Sequence, residues 1–210
     1  MVALAVGVMA FAPARRAAAV IGEVGGAVGT DFNAGADTLA TLQFSDGSTQ
    51  DIKAGNGLLL SVGGGGIFFE GQPHRLETVL NVGVKFSTMQ PAQNADLSFV
   101  RLPIELLAFY RNDDLHFRVG GGGAWYPYSS LSGSGAASNL QVDFKPGLAG
   151  IAQADFLWGR GWVGLRYTHL NYTVSGSDVT AAANSIGVTL GFFFQFALHP
   201  APPPTAPPPL

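Results

Sequence analysis

Few residues in this chain have the types and spacing that chemistry requires. The chain contains no cysteine, which excludes a disulfide framework and thiolate metal sites. The histidines His74, His116 and His199 show no metal-ligand spacing. The segment 46–51 (Asp-Gly-Ser-Thr-Gln-Asp) could begin a calcium loop, but no bidentate glutamate follows at the required offset, so we interpret it as a turn. The sequence therefore predicts neither a metal site nor a cofactor.

Two glycine runs, residues 63–66 and 120–123, could in principle cradle a phosphate. Neither run is followed by Lys-Ser/Thr, and neither opens a predicted helix, as a phosphate-binding loop would. Glycine within a strand more often allows sharp coiling or close packing. We therefore predict a structural role for both runs.

The remaining candidates are charged side chains that share one face of alternating segments. They are Glu77, Lys85, Arg101, Glu105, Arg118, Asp155 and Arg166. Acids and bases nearly balance in this set, as burial of charge requires. Inside a small barrel such side chains pair with one another and form a polar plug, although a gated narrow pore is the functional alternative. The sequence does not reveal which acid meets which base.

The composition restricts the class of protein that must position these charges. Charged residues make up 12% of the 210 residues, about half of the roughly 25% usual in soluble domains. The 29 glycines are about double the usual share of roughly 7%. Apolar residues make up 47%, which excludes disorder for most of the chain. The net charge of −3 argues against a nucleic-acid partner, because phosphate binding needs clustered Lys and Arg.

The positioning elements are strands, because hydrophobicity alternates with a period of two. Seven segments show this pattern clearly: 57–69, 74–86, 97–110, 115–128, 141–158, 161–174 and 185–196. An eighth and weaker one is 38–44. The alternation is clearest in the last segment, where one face carries Ile186, Val188, Leu190, Phe192, Phe194 and Phe196. No window reaches the 18 apolar residues of a transmembrane helix.

Alternation alone does not say which face points outward, since a soluble ligand-carrying barrel shows the mirror image. Aromatic residues at the predicted strand ends favour a membrane barrel with interfacial girdles: Phe68, Phe69, Phe109, Tyr110, Trp125, Tyr126, Tyr128, Trp158 and Trp162. Connections also alternate, being tight at 70–73, 111–114 and 159–161 and long at 87–96, 129–140 and 175–184. This scheme requires an even number of strands, so we count 38–44 as the first and 45–56 as the first outer loop.

The last strand carries a recognisable pattern, Thr-Leu-Gly-Phe-Phe-Phe-Gln-Phe over 189–196. It resembles the C-terminal signal by which the barrel-assembly machinery recognises bacterial outer-membrane proteins, with Gly191, Phe194 and Phe196 at the signal positions. The segment from about Thr38 to Phe196 is similar to the small eight-stranded barrels of the OmpA/OmpX type. The resemblance implies an all-β, eight-stranded antiparallel up-and-down transmembrane β-barrel in the bacterial outer membrane.

One segment, Arg-Tyr-Thr-His-Leu-Asn over 166–171, faintly resembles a strand of outer-membrane lipid A deacylases. That family has a nucleophilic serine two residues after the catalytic histidine. Here the histidine is His169 and the serine position holds Asn171, which has no nucleophilic hydroxyl. The alternation also shifts near His169, which predicts either a bulge or the point at which the strand leaves the membrane.

The two ends differ from the middle. An apolar run followed by small residues predicts a signal peptide over 1–19, although Arg15 and Arg16 follow the run instead of preceding it. We assign 20–36 to an N-terminal linker, 37–197 to the barrel and 198–210 to a Pro-rich polyproline II tail.

Together these features predict a non-catalytic, monomeric outer-membrane barrel with a structural or surface-interaction role and a lumen filled by charged side chains. Its partners would be outer-membrane lipid and lipopolysaccharide, and the assembly machinery during biogenesis. The alternatives are a lipid-modifying enzyme of the deacylase type and a soluble lipocalin-type ligand carrier.

Overall fold

The computed structural model describes residues 21–43, 47, 49–71, 73–89, 95–135 and 140–197. The signal peptide predicted over 1–19, the Pro-rich tail over 198–210 and part of the turn over 46–51 lie outside the described residues. The described strands are β1 Ile21–Asn33, β2 Thr38–Gln43, β3 Thr49–Lys53, β4 Gly57–Gly71, β5 His74–Met89, β6 Ala95–Asn112, β7 Phe117–Gly135, β8 Gln141–Asp143, β9 Gly147–Trp158, β10 Gly161–Thr173, β11 Thr180–Ala182 and β12 Ser185–Ala197. None of the described residues forms a helix long and apolar enough to cross a membrane.

Eight of these strands close one antiparallel barrel. Neighbouring strands pair in the order β1, β4, β5, β6, β7, β9, β10 and β12. Strand β12 then pairs with β1, from Ile21 opposite Ala197 to Asn33 opposite Ser185. Closure leaves no free edge in the wall, because every strand has two hydrogen-bonded neighbours. The predicted all-β, eight-stranded antiparallel fold is confirmed.

The first barrel strand is not the one that the sequence predicted. Residues 21–33 form β1 in the wall, whereas they were assigned to a linker over 20–36. The segment 38–44, predicted to be the first wall strand, contributes β2, which pairs only with β3 among the described strands. Its alternation is real, but it reflects a local hairpin and not a place in the barrel.

Two short strands extend the wall at one end. Strand β8 pairs with β7 beyond the end of β9, and β11 pairs with β10 beyond the end of β12. The single strand predicted over 141–158 is therefore interrupted. The interruption contains Pro146, which has no amide hydrogen for the sheet, while Phe144 forms an isolated bridge with Val174.

The two ends of the barrel differ in their connections, as predicted. At one end, which also holds Ile21 and Ala197, β4 and β5 are two residues apart in sequence, and short turns over 113–116 and 159–160 follow β6 and β9. At the opposite end the strands are further apart in sequence, and the described residues there include the β2–β3 hairpin and the segments 140–146 and 174–184. We call these the turn end and the loop end.

Apolar side chains face outward from the wall, and charged ones face inward. Phe192, Phe194 and Phe196 are each about half exposed, at 53%, 49% and 48%. Leu106 is 64% exposed, whereas its neighbour Glu105 is 1% exposed. Successive side chains of a strand alternate between faces, so this difference between neighbours identifies an apolar outer surface and a polar interior.

Candidate functional site in the lumen and its loop end

All seven charged residues singled out by the sequence lie inside the barrel. Each is no more than 5% exposed. The sheet closure brings them together, since they come from β5, β6, β7, β9 and β10. They fall into clusters at different heights along the lumen.

The turn-end cluster consists of Glu77, Arg111, Arg118 and Asp155. Arg118 donates from Nε to Asp155 at 2.6 Å and from Nη1 to Glu77. Arg111 lies 3.6 Å from Glu77 and donates from Nε to Asp113 at 2.7 Å. These side-chain contacts connect β5, β6, β7 and β9. The two guanidinium groups and the two carboxylates compensate one another's charge in the buried cluster.

Two further ion pairs lie above this cluster. Arg166 makes a bidentate contact with Glu105, at 3.0 Å from Nη1 and 2.5 Å from Nη2. Lys85 lies 2.5 Å from Asp31 of β1. Both pairs connect strands that are not neighbours in the wall: one strand, β4, separates β1 from β5, and two strands, β7 and β9, separate β6 from β10.

The loop-end cluster consists of Lys85, Arg101 and the backbone of residues 54–56. Arg101 donates to the carbonyl oxygen of Ala54 at 2.9 Å and to that of Asn56 at 2.5 Å. Lys85 donates to the carbonyl oxygen of Gly55 at 2.9 Å. The end of the first loop therefore enters the lumen, where two cations bind its backbone.

Apolar side chains fill the space around this inserted segment. Ile52 and Ala54 are buried with residues of the wall and the loops, chiefly Leu97, Phe99, Leu131, Phe144 and Tyr172. The ring of Phe99 lies 5.5 Å from that of Phe144 and 5.6 Å from that of Tyr172. The loop end of the lumen is thus a packed apolar core with Arg101 beside it, 4.3 Å from the Phe99 ring centroid.

The sequence did not identify three buried charged residues of the lumen. Glu23 and Asp31 were missed because β1 was assigned to a linker, and Arg111 because it was assigned to a turn. Glu23 accepts a hydrogen bond from Gln195 at 3.4 Å. The available signal was the alternation of Val24, Val28 and Phe32 on one face with Glu23 and Asp31 on the other, but glycines on both faces obscured it.

Part of the predicted aromatic girdle faces the lumen. Three of the predicted girdle residues are buried: Phe109, Tyr126 and Trp162. Four others are exposed on the outer surface: Tyr110, Trp125, Tyr128 and Trp158. Adjacent residues of a strand point to opposite faces, so only one of two consecutive aromatics can face outward. Two of the inward rings contact Arg118, whose Cζ lies 4.5 Å from the Phe109 ring and 4.9 Å from the Trp162 ring.

Glycines lie opposite several large inward side chains. Gly164 faces Asp155, and Gly187 faces Asp31, in the registers of their strand pairs. A Cβ on either glycine would overlap the facing carboxylate. These positions explain part of the high glycine content, because the missing side chains make room for the charges.

A cavity of about 50 Å³ lies between the turn-end cluster and the pair of Arg166 with Glu105. Its walls include Asn81, Arg118, Gln153 and Arg166. This volume holds about four water molecules, at roughly 10–15 Å³ each. The polar side chains around it suit water better than an apolar ligand.

The histidine of the predicted deacylase-like segment lies on the outer face near the loop end. His169 and Asn171 are exposed, and Nδ1 of His169 lies 2.7 Å from Oδ1 of Asn184. The prediction of a bulge here is wrong, since the β9–β10 register continues without a shift through His169 and Leu170. The burial pattern of β10 also alternates regularly.

The residues of the predicted assembly signal lie in β12 at the turn end. Phe194 and Phe196 face outward, while Gly191 faces the indole ring of Trp162. A Cβ at Gly191 would lie 2.5 Å from atoms of that ring. Phe193 packs inside with Leu157 and Trp162.

Comparison with solved structures finds β-barrel proteins of low sequence identity. Ail, the attachment invasion locus protein of Yersinia pestis, was solved with the heparin analogue sucrose octasulfate. It has a TM-score of 0.49 and 12% identity over 83% of this chain and 97% of that one. Neisserial surface protein A has a TM-score of 0.47 and 9% identity over 83% and 97%. The outer membrane protein AlkL has a TM-score of 0.39 and 16% identity over 93% and 100%. No protein-family model and no curated protein sequence matches this chain.

Proposed function

We propose that this chain is a non-catalytic β-barrel of the bacterial outer membrane that acts through its loop end. The observation that carries the proposal is the outward apolar surface of a closed barrel whose charges are buried inside. Water would not favour a continuous belt of exposed Leu, Val and Phe, whereas hydrocarbon would. A closed barrel also leaves no unpaired backbone for lipid to contact.

Fractionation with a heat-shift assay tests the membrane location. We expect the protein in the outer-membrane fraction, and we expect it to migrate faster on a gel unheated than boiled, because the barrel resists detergent at low temperature. Recovery in the aqueous fraction without detergent would instead favour a soluble ligand carrier. The inward charges argue against that alternative, since a carrier of apolar ligands has an apolar interior.

We further propose that the lumen is closed to ions. The turn-end cluster, two crossing ion pairs and the inserted segment 54–56 occupy it in succession, and eight strands leave just enough room for side chains. The purified barrel in a planar bilayer should therefore show no steady conductance. A stable conductance proportional to salt concentration would contradict a closed lumen while leaving the membrane location intact.

The C-terminal strand supports a proposed role in assembly. Phe196→Ala should lower the fraction of barrel assembled in cells, because the terminal aromatic residue would be a recognition element for the assembly machinery. Phe156→Ala is the matched control, since Phe156 is also an outward phenylalanine near the turn end, at 54% exposed. Both variants should refold at similar rates into pure lipid vesicles. Equal assembly of both variants in cells would contradict the proposed role of Phe196 as a recognition element.

No geometry of the described residues favours the lipid-modifying alternative. His169 pairs with the amide of Asn184, which is no nucleophile. Expression of the wild-type protein should leave the acyl chains of lipid A unchanged. Loss of an acyl chain with the wild type, but not with His169→Ala, would establish the enzyme instead.

A further inference from the structure

A cleft at the loop end lies outside the lumen, and an inference about its ligand rests on the proposed role of the loop end. Its volume is about 630 Å³, within the roughly 300–1,000 Å³ that is common for small-molecule sites. Three segments form its walls: 37–39, 142–144 and 174–181. Most of its lining is apolar, with Leu39, Leu131, Val142, Phe144, Val174 and Val179.

The floor of the cleft belongs to the packed core of the loop end. Leu131 and Phe144 are buried, and the Phe144 ring lies 5.2 Å from that of Tyr172. Val179 at the rim lies in a connection beyond the barrel wall, and its apolar side chain is 63% exposed. An apolar molecule in the cleft would cover this side chain and rest on a rigid aromatic floor.

Backbone hydrogen bonds fix the walls in place. The amide of Asp37 donates to the carbonyl of Ala182 at 2.8 Å, and the amide of Ala182 donates to the Asp37 carboxylate at 2.7 Å. On the opposite side, the amide of Ser175 donates to the carbonyl of Asp143 at 2.8 Å. A preformed cleft of this kind loses little conformational entropy when a ligand binds.

The negative charge at the cleft favours apolar ligands that also carry a positive charge. Asp37 is the only charged residue among the described lining residues. The wall segments 37–39, 142–145 and 174–181 together carry three acids, Asp37, Asp143 and Asp178, against one base, Lys145, a formal net charge of −2. Lys145 donates to the carbonyl of Ser177 at 2.9 Å. The hydroxyls of Thr38, Ser177 and Thr180 complete the polar part of the lining segments.

The geometry points to a binding site for a small amphipathic cation, a molecule with one aliphatic or aromatic chain and one positively charged amine. Its chain would lie against Leu39, Phe144 and Val179. Its amine would lie near the Asp37 carboxylate, which is exposed to solvent at the rim. An anionic amphiphile of the same chain length would bring its negative charge near the Asp37 carboxylate, which is unfavourable.

Protection of an introduced thiol tests this site, since the chain has no cysteine of its own. We would place Val179→Cys in the full chain, reconstitute it in nanodiscs of zwitterionic phospholipid, and measure its rate of modification by a polar maleimide. Octylamine should slow this rate severalfold more than octanol or octanoate at equal concentration. Thr49→Cys in the β2–β3 hairpin is the control, because its exposed side chain is not part of the cleft and should report only general membrane effects.

A second variant tests the role of the charge. Asp37→Asn keeps an oxygen that can accept the Ala182 amide, so the wall should stay in place while the attraction for the amine is lost. Combined with Val179→Cys, it should reduce protection by octylamine to the level of octanol. Equal protection by all three probes, stronger protection by octanoate, or no protection by any of them would overturn the proposed site. The heat-shift assay on each variant separates this result from a failure of the barrel to fold.

Discussion

The turn-end and loop-end clusters use the same kind of residue for different purposes. In the turn-end cluster, Arg118 bonds to the carboxylates of Glu77 and Asp155, which belong to other wall strands. In the loop-end cluster, Arg101 bonds to the backbone carbonyls of Ala54 and Asn56. One guanidinium therefore crosslinks the wall, and the other binds an inserted loop.

This difference predicts different consequences when each base is lost. Removal of the wall crosslink leaves the buried carboxylate of Asp155 without a cationic partner and that of Glu77 with Arg111 alone, at 3.6 Å, which affects the whole barrel. Removal of the loop contact leaves carbonyl groups that water can reach once the loop opens. The comparison thus separates a global contribution to stability from a local one.

The largest effect should follow Arg118→Met. Loss of one partner from a buried ionic network costs about 3–5 kcal/mol of folding free energy. Urea unfolding in lipid vesicles measures the change. Arg160→Met, at an exposed position in a turn, should cost less than about 1 kcal/mol. The triple variant with Glu77→Gln and Asp155→Asn should recover part of the loss, and a triple variant as unstable as Arg118→Met would argue against uncompensated charge as the cause.

Arg101→Met should have a smaller and more local effect. Its two charge-assisted hydrogen bonds should contribute on the order of 2–3 kcal/mol to closure of the first loop. Amide hydrogen exchange over 49–56 should accelerate roughly 30- to 140-fold, since 1.4 kcal/mol corresponds to a factor of ten. Lys145→Met at another loop should leave exchange in this segment unchanged. A loss of global stability as large as that of Arg118→Met would remove the distinction between the two clusters.

Gly164→Ala tests whether the turn-end cluster depends on space. The added methyl group would overlap the carboxylate of Asp155, so we expect a loss of about 1–2 kcal/mol from overpacking. Gly150→Ala on the neighbouring strand is the control, because a Cβ there would meet nothing within 4 Å. The urea midpoints of the two variants provide the comparison. Equal midpoints would mean that Asp155 can move aside without loss.

The smallest effect concerns the hairpin attached to the loop-end segment. The hydroxyl of Thr41, at 2.7 Å, and the ammonium group of Lys53 lower the pKa of the Asp51 carboxyl below its ordinary value. The Asp51 carboxylate should therefore stabilise the hairpin fully at pH values above the ordinary carboxyl pKa. This stabilisation should be lost as the pH falls through the lowered pKa of Asp51. Thr41→Val should raise the pKa of Asp51 in a carbon-13 NMR titration. An unchanged titration would exclude the hydroxyl as the cause.

Most of the wall could be predicted because alternation is a local property. Seven predicted segments correspond to wall strands, and in β12 the outward residues from Ile186 to Phe196 follow the pattern predicted for one face. Strand β1 was missed because Gly22, Gly25, Gly26 and Gly29 leave few side chains to alternate. Alternation of hydrophobic and polar side chains cannot be detected where the residues are glycines.

The partners within the lumen could not be predicted, because they depend on register and closure. Arg101 carries the same charge as Arg118, and both lie in alternating strands. Nothing local indicates that one meets carboxylates and the other meets the carbonyls of 54–56. The loop-end cleft was also missed, since its walls come from three connections that only the closed barrel brings together.

The glycine-rich strand β1 has a consequence for how the ring closes. Its union with β12 joins the most distant parts of the described chain, with Ile21 opposite Ala197, so this seam should form last in folding. A strand with so few side chains could slide along its neighbour by two residues at little cost. Glu23 would resist this shift because it accepts a hydrogen bond from Gln195 across the seam. Asp31 would resist it because the facing residue, Gly187, has no side chain that would overlap its carboxylate.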